Sequence, residues 1–238
     1  METNQKELKY LSIITGVYVG ALVLVPSMAS KFISLGPFTM VASTLVFPIT
    51  FIANDVLTEV YGYSRSRKVI WTGLACQMFA AIMYWVIKLL PAPDFWHNQA
   101  AYETILGAAP RIAVASLSAY FFGEFANSVV LSKMKYTQAA KRGIFQAWRF
   151  VASTIVGEAV DSIVFAGIAF TGVVAFNEVI VIPFTIWTVK VLYEIVALPF
   201  SMRFSNWLKS VEQVDYVDQP NITNYNPFAV FFSKPNKQ

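Results

Sequence analysis

FPITFIANDVLTEVYGYSRSRK, residues 47–68, runs from an apolar stretch through Asn54, Asp55 and Glu59 before it reaches Arg65, Arg67 and Lys68. Asp55 and Glu59 are four residues apart, so a helix puts them on one face. Carboxylates inside an apolar run, ahead of the basic cluster that should end it, need a reason. The rest of the chain supplies the setting. Of 238 residues, 56% are hydrophobic and only 13% charged, against about 25% charged in soluble domains. Mean hydropathy is +0.54. This composition points to a membrane protein. The net charge of +4 does not indicate a nucleic-acid partner, because the basic residues sit in short clusters between apolar runs. A single cysteine, Cys76, excludes an internal disulfide framework and a cysteine-based zinc site.

A helix crosses the hydrocarbon core in roughly 20 residues. Six segments qualify: 10–28, 37–61, 69–90, 111–131, 145–171 and 179–200. Turn-forming stretches separate them, among them SLGP at 34–37 and PAPD at 91–94. The first span has the small-residue flank of a signal peptide, but it is long for one and the charge count works better if it is kept. With the N-terminus cytoplasmic, thirteen Lys and Arg face inward and Lys31 alone lies in an outer loop. The expected fold is therefore all-α and polytopic, with six transmembrane helices and both termini cytoplasmic. Residues 1–202 are expected to form the six-helix transmembrane domain and 203–238 a polar, irregular cytoplasmic tail.

Six of the fourteen acidic residues fall inside these spans: Asp55, Glu59, Glu124, Glu158, Asp161 and Glu194. Arg149 and Lys190 join them. Each charge at a helix centre costs about 2.5–3.5 kcal/mol on insertion scales, so these groups must face the bundle interior, water or a ligand. Their spacing agrees, since Glu124 with Asn127, Glu158 with Asp161, and Lys190 with Glu194 each share a face. Pairing by Arg149 and Lys190 alone leaves four of the six acids uncompensated. Those must be protonated, hydrated or matched by something that arrives. Glu59, near the basic cluster, has the stronger claim to a structural or interfacial role. GEFANSVV (123–130) and GEAVDSIV (157–164) repeat one pattern 34 residues apart on neighbouring spans of opposite direction. Inverted elements carrying polar groups to matching depth are a transporter habit, and Gly123 and Gly157 permit close helix approach.

Catalysis has little support. His97 is a lone histidine in an outer loop, and the sequence contains no HExxH, Walker A or dinucleotide glycine pattern. No enzyme activity and no cofactor are expected. An acidic site for a divalent metal is the enzyme-like alternative, and a scaffold whose charges only specify helix packing is another.

FPITFIANDVLTEVYGYSRSRKVIW closely resembles the signature of the queuosine precursor transporter family, also called the vitamin-uptake transporter family. GEAVDSIVF resembles its second signature. DYVDQPNITNYNPF is similar to its C-terminal end, with an insertion-like QPNITN before Asn-Pro-Phe at 226–228. The resemblance covers nearly the whole chain. It implies import across the inner (plasma) membrane of 7-deazaguanine precursors of queuosine, a modified tRNA base, chiefly the 7-cyano and 7-aminomethyl forms. The chemistry suits such a substrate: carboxylates accept paired N–H donors from a guanine-type edge, and flat bases stack on aromatics. Substrate recognition is expected at Asn54, Asp55, Glu124, Asn127, Glu158 and Asp161. Glu59, Gln77, Arg149, Lys190 and Glu194 are supporting or gating candidates, with Glu194 the i,i+4 partner of Lys190. Phe47, Phe51, Trp71, Phe121, Trp148, Phe165 and Trp187 are the available stacking surfaces. The expected partners are a purine-like small molecule and membrane lipid, with a homodimer left open. Proton coupling, facilitated entry and service as the binding subunit of a separate energising module all fit.

Overall fold

The computed structural model describes residues 8–28, 31–35, 38–107, 110–172 and 176–232. Lys6, Lys234 and Lys237 of the charge count, and the Phe47 side chain, lie outside what is described. In chain order come α1 (Leu11–Met28), β1 (Phe32–Leu35), β2 (Phe38–Val41), a 3₁₀ turn (Ala42–Leu45), α2 (Phe47–Tyr61), α3 (Tyr63–Leu89), α4 (Gln99–Leu106), α5 (Pro110–Thr137), α6 (Ile144–Phe170), α7 (Phe176–Glu212) and α8 (Ala229–Phe232). Among the described residues, four helical stretches are long and apolar enough to cross a membrane: α1, α3, the stretch Gln99–Thr137 that contains α5, and α6. The outward faces fit that solvent. Phe79, Ile82, Trp85 and Leu89 of α3 are exposed, while Asn54, Asp55, Thr58, Ser66, Glu124 and Ser128 are buried. Apolar surface meets lipid and polar groups must be satisfied inside.

The second expected span, 37–61, does not form as one helix. β1 and β2 pair antiparallel, with Phe32 opposite Val41 and Leu35 opposite Phe38, and the helix begins only at Phe47. Pro48 sets that start. It has no N–H and would clash with a preceding turn, so it is tolerated in the first turn and not deeper. The resulting α2 has 15 residues, about 22 Å at 1.5 Å per residue, short of a hydrocarbon core of about 30 Å. Every residue from Ala53 to Tyr63 is buried. Val56, Leu57 and Val60 pack in the apolar core with Tyr18 and Leu22 of α1, Ile70 and Leu74 of α3, Phe125 of α5 and Leu208 of α7. A short helix enclosed in this way is the arrangement in which broken backbone is acceptable at membrane depth.

The expected loop at 62–68 shrinks to Gly62, whose φ of 81° lies in the left-handed region that favours glycine. Arg65, Arg67 and Lys68 belong to the first turns of α3, and Arg67 is buried. The C-terminal region also differs from the expected irregular tail. Residues 203–212 continue α7, and the next sixteen or so fold back onto the ends of α2, α3 and α5. Tyr216 N–H donates to Val60 O (3.1 Å). Asp218 Oδ2 accepts the Tyr63 N–H at the start of α3 (2.7 Å) and the Ser132 hydroxyl (2.8 Å). Arg67 Nη1 donates to Asn224 O (2.7 Å) and Asn226 O (2.9 Å), and Trp71 Nε1 to Pro227 O (2.9 Å). A cap on α3 and the neutralisation of a buried guanidinium's hydrogen-bonding need thus come from a segment about 155 residues later.

Candidate functional site

α5 and α6 form an antiparallel pair, and the two copies of the repeat meet where they cross. A Cβ on Gly123 would lie 2.8 Å from Asp161 Cβ and 3.1 Å from Gly157 O. A Cβ on Gly157 would lie 2.6 Å from Asn127 Cβ and 3.0 Å from Gly123 O. Each glycine therefore seats the fifth residue of the other copy, a local two-fold relation. Only glycine permits backbones this close. The crossing turns Glu124 and Asn127 of one copy and Glu158 and Asp161 of the other toward a common space.

That space is a cavity of about 980 Å³. Its polar wall is made by Glu124, Asn127, Thr154, Glu158, Asp161, Ser162 and Lys190, and it extends past Gln77, Tyr84, Trp85 and Phe165 toward Lys88 and Leu106. Lys190 Nζ lies 2.6 Å from Glu158 Oε2 and 2.7 Å from Asp161 Oδ2, and over the Phe51 ring at 5.6 Å. The expected Lys190–Glu194 pairing is thus replaced: the lysine turns across to α6, where two carboxylates share it. Glu194 is buried, and its Oε1 has no hydrogen-bond partner. Gln77 lines the cavity and donates to Leu22 O (3.2 Å).

Asn54 and Asp55 stand one layer behind the wall. Asn54 Nδ2 donates to Glu124 Oε2, and Asn127 Nδ2 donates to Asp55 Oδ1 (2.7 Å). The residues of α2 that line the cavity are Thr50 and Phe51. The opening stretch thus holds the site's carboxylate and amide from behind.

Glu59 lies apart from the cavity. Its carboxylate, fully buried, takes Arg149 Nε (2.8 Å) on Oε2, and Arg149 Nη2 (2.5 Å) and Lys209 Nζ (2.6 Å) on Oε1. Such a bidentate, charge-assisted arrangement is strong and directional. Lys209 also reaches Asp215 (2.9 Å), which Lys135 Nζ holds at 2.5 Å. Asp215 lies beyond the end of α7. Burial pushes its carboxyl up, but the Lys135 hydrogen bond and the charges of Lys135 and Lys209 outweigh that, and it sits below the usual carboxylate range. The charge balance of the interior shifts accordingly. Arg149 and Lys209 answer Glu59, and Lys190 answers Glu158 and Asp161, so among the described residues no salt bridge reaches Asp55, Glu124 or Glu194.

Of the expected stacking aromatics, Phe51 and Phe165 line the cavity. Trp71 and Phe121 pack instead with Phe125 and Phe228, Trp148 is exposed, and Trp187 donates to Ile155 O. Trp71, with Cys76, also borders a second groove of about 1190 Å³ between α1, α3 and α8 whose lining is almost wholly apolar. Sequence reasoning missed Ser162 and Thr154, which look like ordinary small polar residues in a helix. It missed Lys135 and Lys209 as interior cations because they lie beyond the nominal span ends.

Long apolar helices packed around an acid-lined cavity are what a membrane transport protein requires. The chain belongs to the family described as "Putative vitamin uptake transporter", whose model matches residues 41–204. It is 27% identical over 188 residues to a "Probable queuosine precursor transporter" of Bacillus subtilis (strain 168), a match covering 77% of this chain and 79% of that protein. A protein of the same description from Haemophilus influenzae (strain ATCC 51907 / DSM 11121 / KW20 / Rd) is 29% identical over 131 residues, covering 53% of this chain and 50% of that protein. No solved structure matches.

Proposed function

We propose that this protein imports queuosine precursors, 7-cyano-7-deazaguanine or its 7-aminomethyl relative, across the inner membrane, with six passes and cytoplasmic termini. The base occupies the cavity at the crossing of α5 and α6. Its N–H edge meets Glu124, Asn127, Glu158 and Asp161, and its faces lie among Phe51, Phe165 and their aromatic neighbours. The observation that carries the reading is the convergence of both repeat copies on one cavity whose carboxylates outnumber the local cations. A guanine-type edge offers N–H donors to a wall with more carboxylates than cations. A cavity of about 980 Å³ also falls within the usual size of ligand sites, roughly 300–1,000 Å³. Lys190 holds Glu158 and Asp161 together in the unliganded wall and fixes their direction. Transport through this site involves no bond-making step and no cofactor.

The test is uptake of labelled 7-cyano-7-deazaguanine into cells that have no other route for it. Wild-type protein should accumulate label. Glu158→Gln and Asp161→Asn should each lose about 10–100-fold in affinity, the worth of one charge-assisted hydrogen bond of about 1.5–3 kcal/mol. No uptake above background, from wild-type protein shown to reach the membrane, refutes the substrate.

A further inference from the structure

Two asparagine–carboxylate pairs bridge α2 and α5, and they differ in one respect. In the first, Asn54 Nδ2 donates to Glu124, while Asn54 Oδ1 accepts the hydroxyls of Ser66 (3.0 Å) and Ser128 (3.2 Å). Both ends of that amide are engaged. In the second, Asn127 Nδ2 donates to Asp55 Oδ1 (2.7 Å), but Asn127 Oδ1 and Asp55 Oδ2 are buried without a hydrogen-bond partner. Asn127 is 93% buried, from an exposure of 7%, and forms part of the cavity wall. Asp55 is wholly buried, with no salt bridge among the described residues. The charges that bear on it are Glu194 of α7, then Glu124 of α5 and Glu59 of its own helix. Glu59 is already held by Arg149 and Lys209, and Glu194 in turn feels Glu158 of α6.

We propose that Asn127 links a proton on Asp55 to ligand binding in the cavity by turning its amide over. An ionised carboxylate only accepts, so it takes the NH₂ end of Asn127 and leaves the carbonyl end for the cavity. A protonated Asp55 donates its O–H, which draws the carbonyl end of Asn127 and presents the NH₂ end to the cavity. The wall then offers a donor where it had offered an acceptor. A ligand that donates N–H at this point and a proton on Asp55 compete for the Asn127 carbonyl. Binding therefore releases that proton to the buffer, and by reciprocity acid weakens binding. Asn54 differs in that both ends of its amide already have protein partners, Glu124 at one end and Ser66 and Ser128 at the other. The inference rests on the proposed reading that the ligand occupies this cavity.

The experiment is calorimetric titration of the purified full chain with 7-cyano-7-deazaguanine, over a range of pH, in two buffers of different ionisation enthalpy. Wild-type protein should release up to one proton per ligand bound, with affinity falling by at most about tenfold per pH unit on the acid side. Asp55→Asn has no carboxyl proton to gain or lose, so it should bind without this proton exchange. Wild-type binding with no proton exchange, or unchanged release in Asp55→Asn, overturns the linkage. Absence of binding by wild type instead sinks the substrate. The amide is then read directly: the ¹⁵N side-chain resonance of Asn127, assigned by its loss in Asn127→Ser, should move with pH in ligand-free wild type. A pH-invariant resonance overturns the proposal, and this readout stands even if Asp55→Asn does not fold.

Discussion

Replacing Gly157 with alanine tests the helix crossing on which the cavity depends. The new methyl would meet Asn127 Cβ at 2.6 Å and Gly123 O at 3.0 Å, where ordinary contact begins at 3.4 Å. Both obstacles are backbone or the first side-chain atom, so neither can swing aside. α5 and α6 must separate by roughly 1 Å, and overpacking of this kind costs about 1–3 kcal/mol. Alanine's better helix propensity returns at most about 1 kcal/mol. Gly167 provides the control on the same helix, because a Cβ there meets nothing within 4 Å. Gly167→Ala should be neutral or up to about 1 kcal/mol more stable. Gly157→Ala should be less stable in detergent and lose ligand affinity, because Asn127 is pushed out of place on the cavity wall. Thermal unfolding of both variants with binding measured on the same samples decides it. Equal stability and equal affinity in Gly157→Ala and Gly167→Ala would refute the crossing geometry.

Arg67→Ala removes the two hydrogen bonds that hold Asn224 and Asn226, interactions of a charged donor worth about 1.5–3 kcal/mol. Limited proteolysis should then cleave the segment after α7 markedly faster than in wild type, and an unchanged rate would show that the segment is held some other way. Asp215 predicts an acid response. Its folded value lies below the unfolded one, so its contribution is complete above the ordinary carboxylate value, near about 4, and is lost as pH falls through the folded value. Melting curves on acidification should therefore show a smaller decline for Asp215→Asn than for wild type; identical declines would remove Asp215 from the account.

Much of this was legible before folding. The excess of apolar residues set the solvent, and the helical spacing of Glu124 with Asn127 and Glu158 with Asp161 set the shared faces. The GExx[ND]S repeat pointed to two elements that act together. What stayed hidden were relations between distant residues. The second span was read as continuous because hydropathy does not register Pro48, although the missing N–H of that residue confines it to a first turn. Lys190 was paired with Glu194 because i,i+4 reach is the only lysine geometry visible along one helix. Across the packed pair it finds two carboxylates on α6 instead.

The sequence by itself determined that carboxylates sit in apolar helices and must turn inward, because lipid offers them neither water nor counter-charge. Only the tertiary structure decided which of them reach the cavity and which serve behind it. Asp55 and Glu59 share a helix face, yet one meets an amide from α5 and the other a guanidinium from α6 and a lysine from α7. Those partners lie 72, 90 and 150 residues away. No local periodicity encodes such distances; the glycine crossing of α5 on α6 and the enclosure of α2 bring them together.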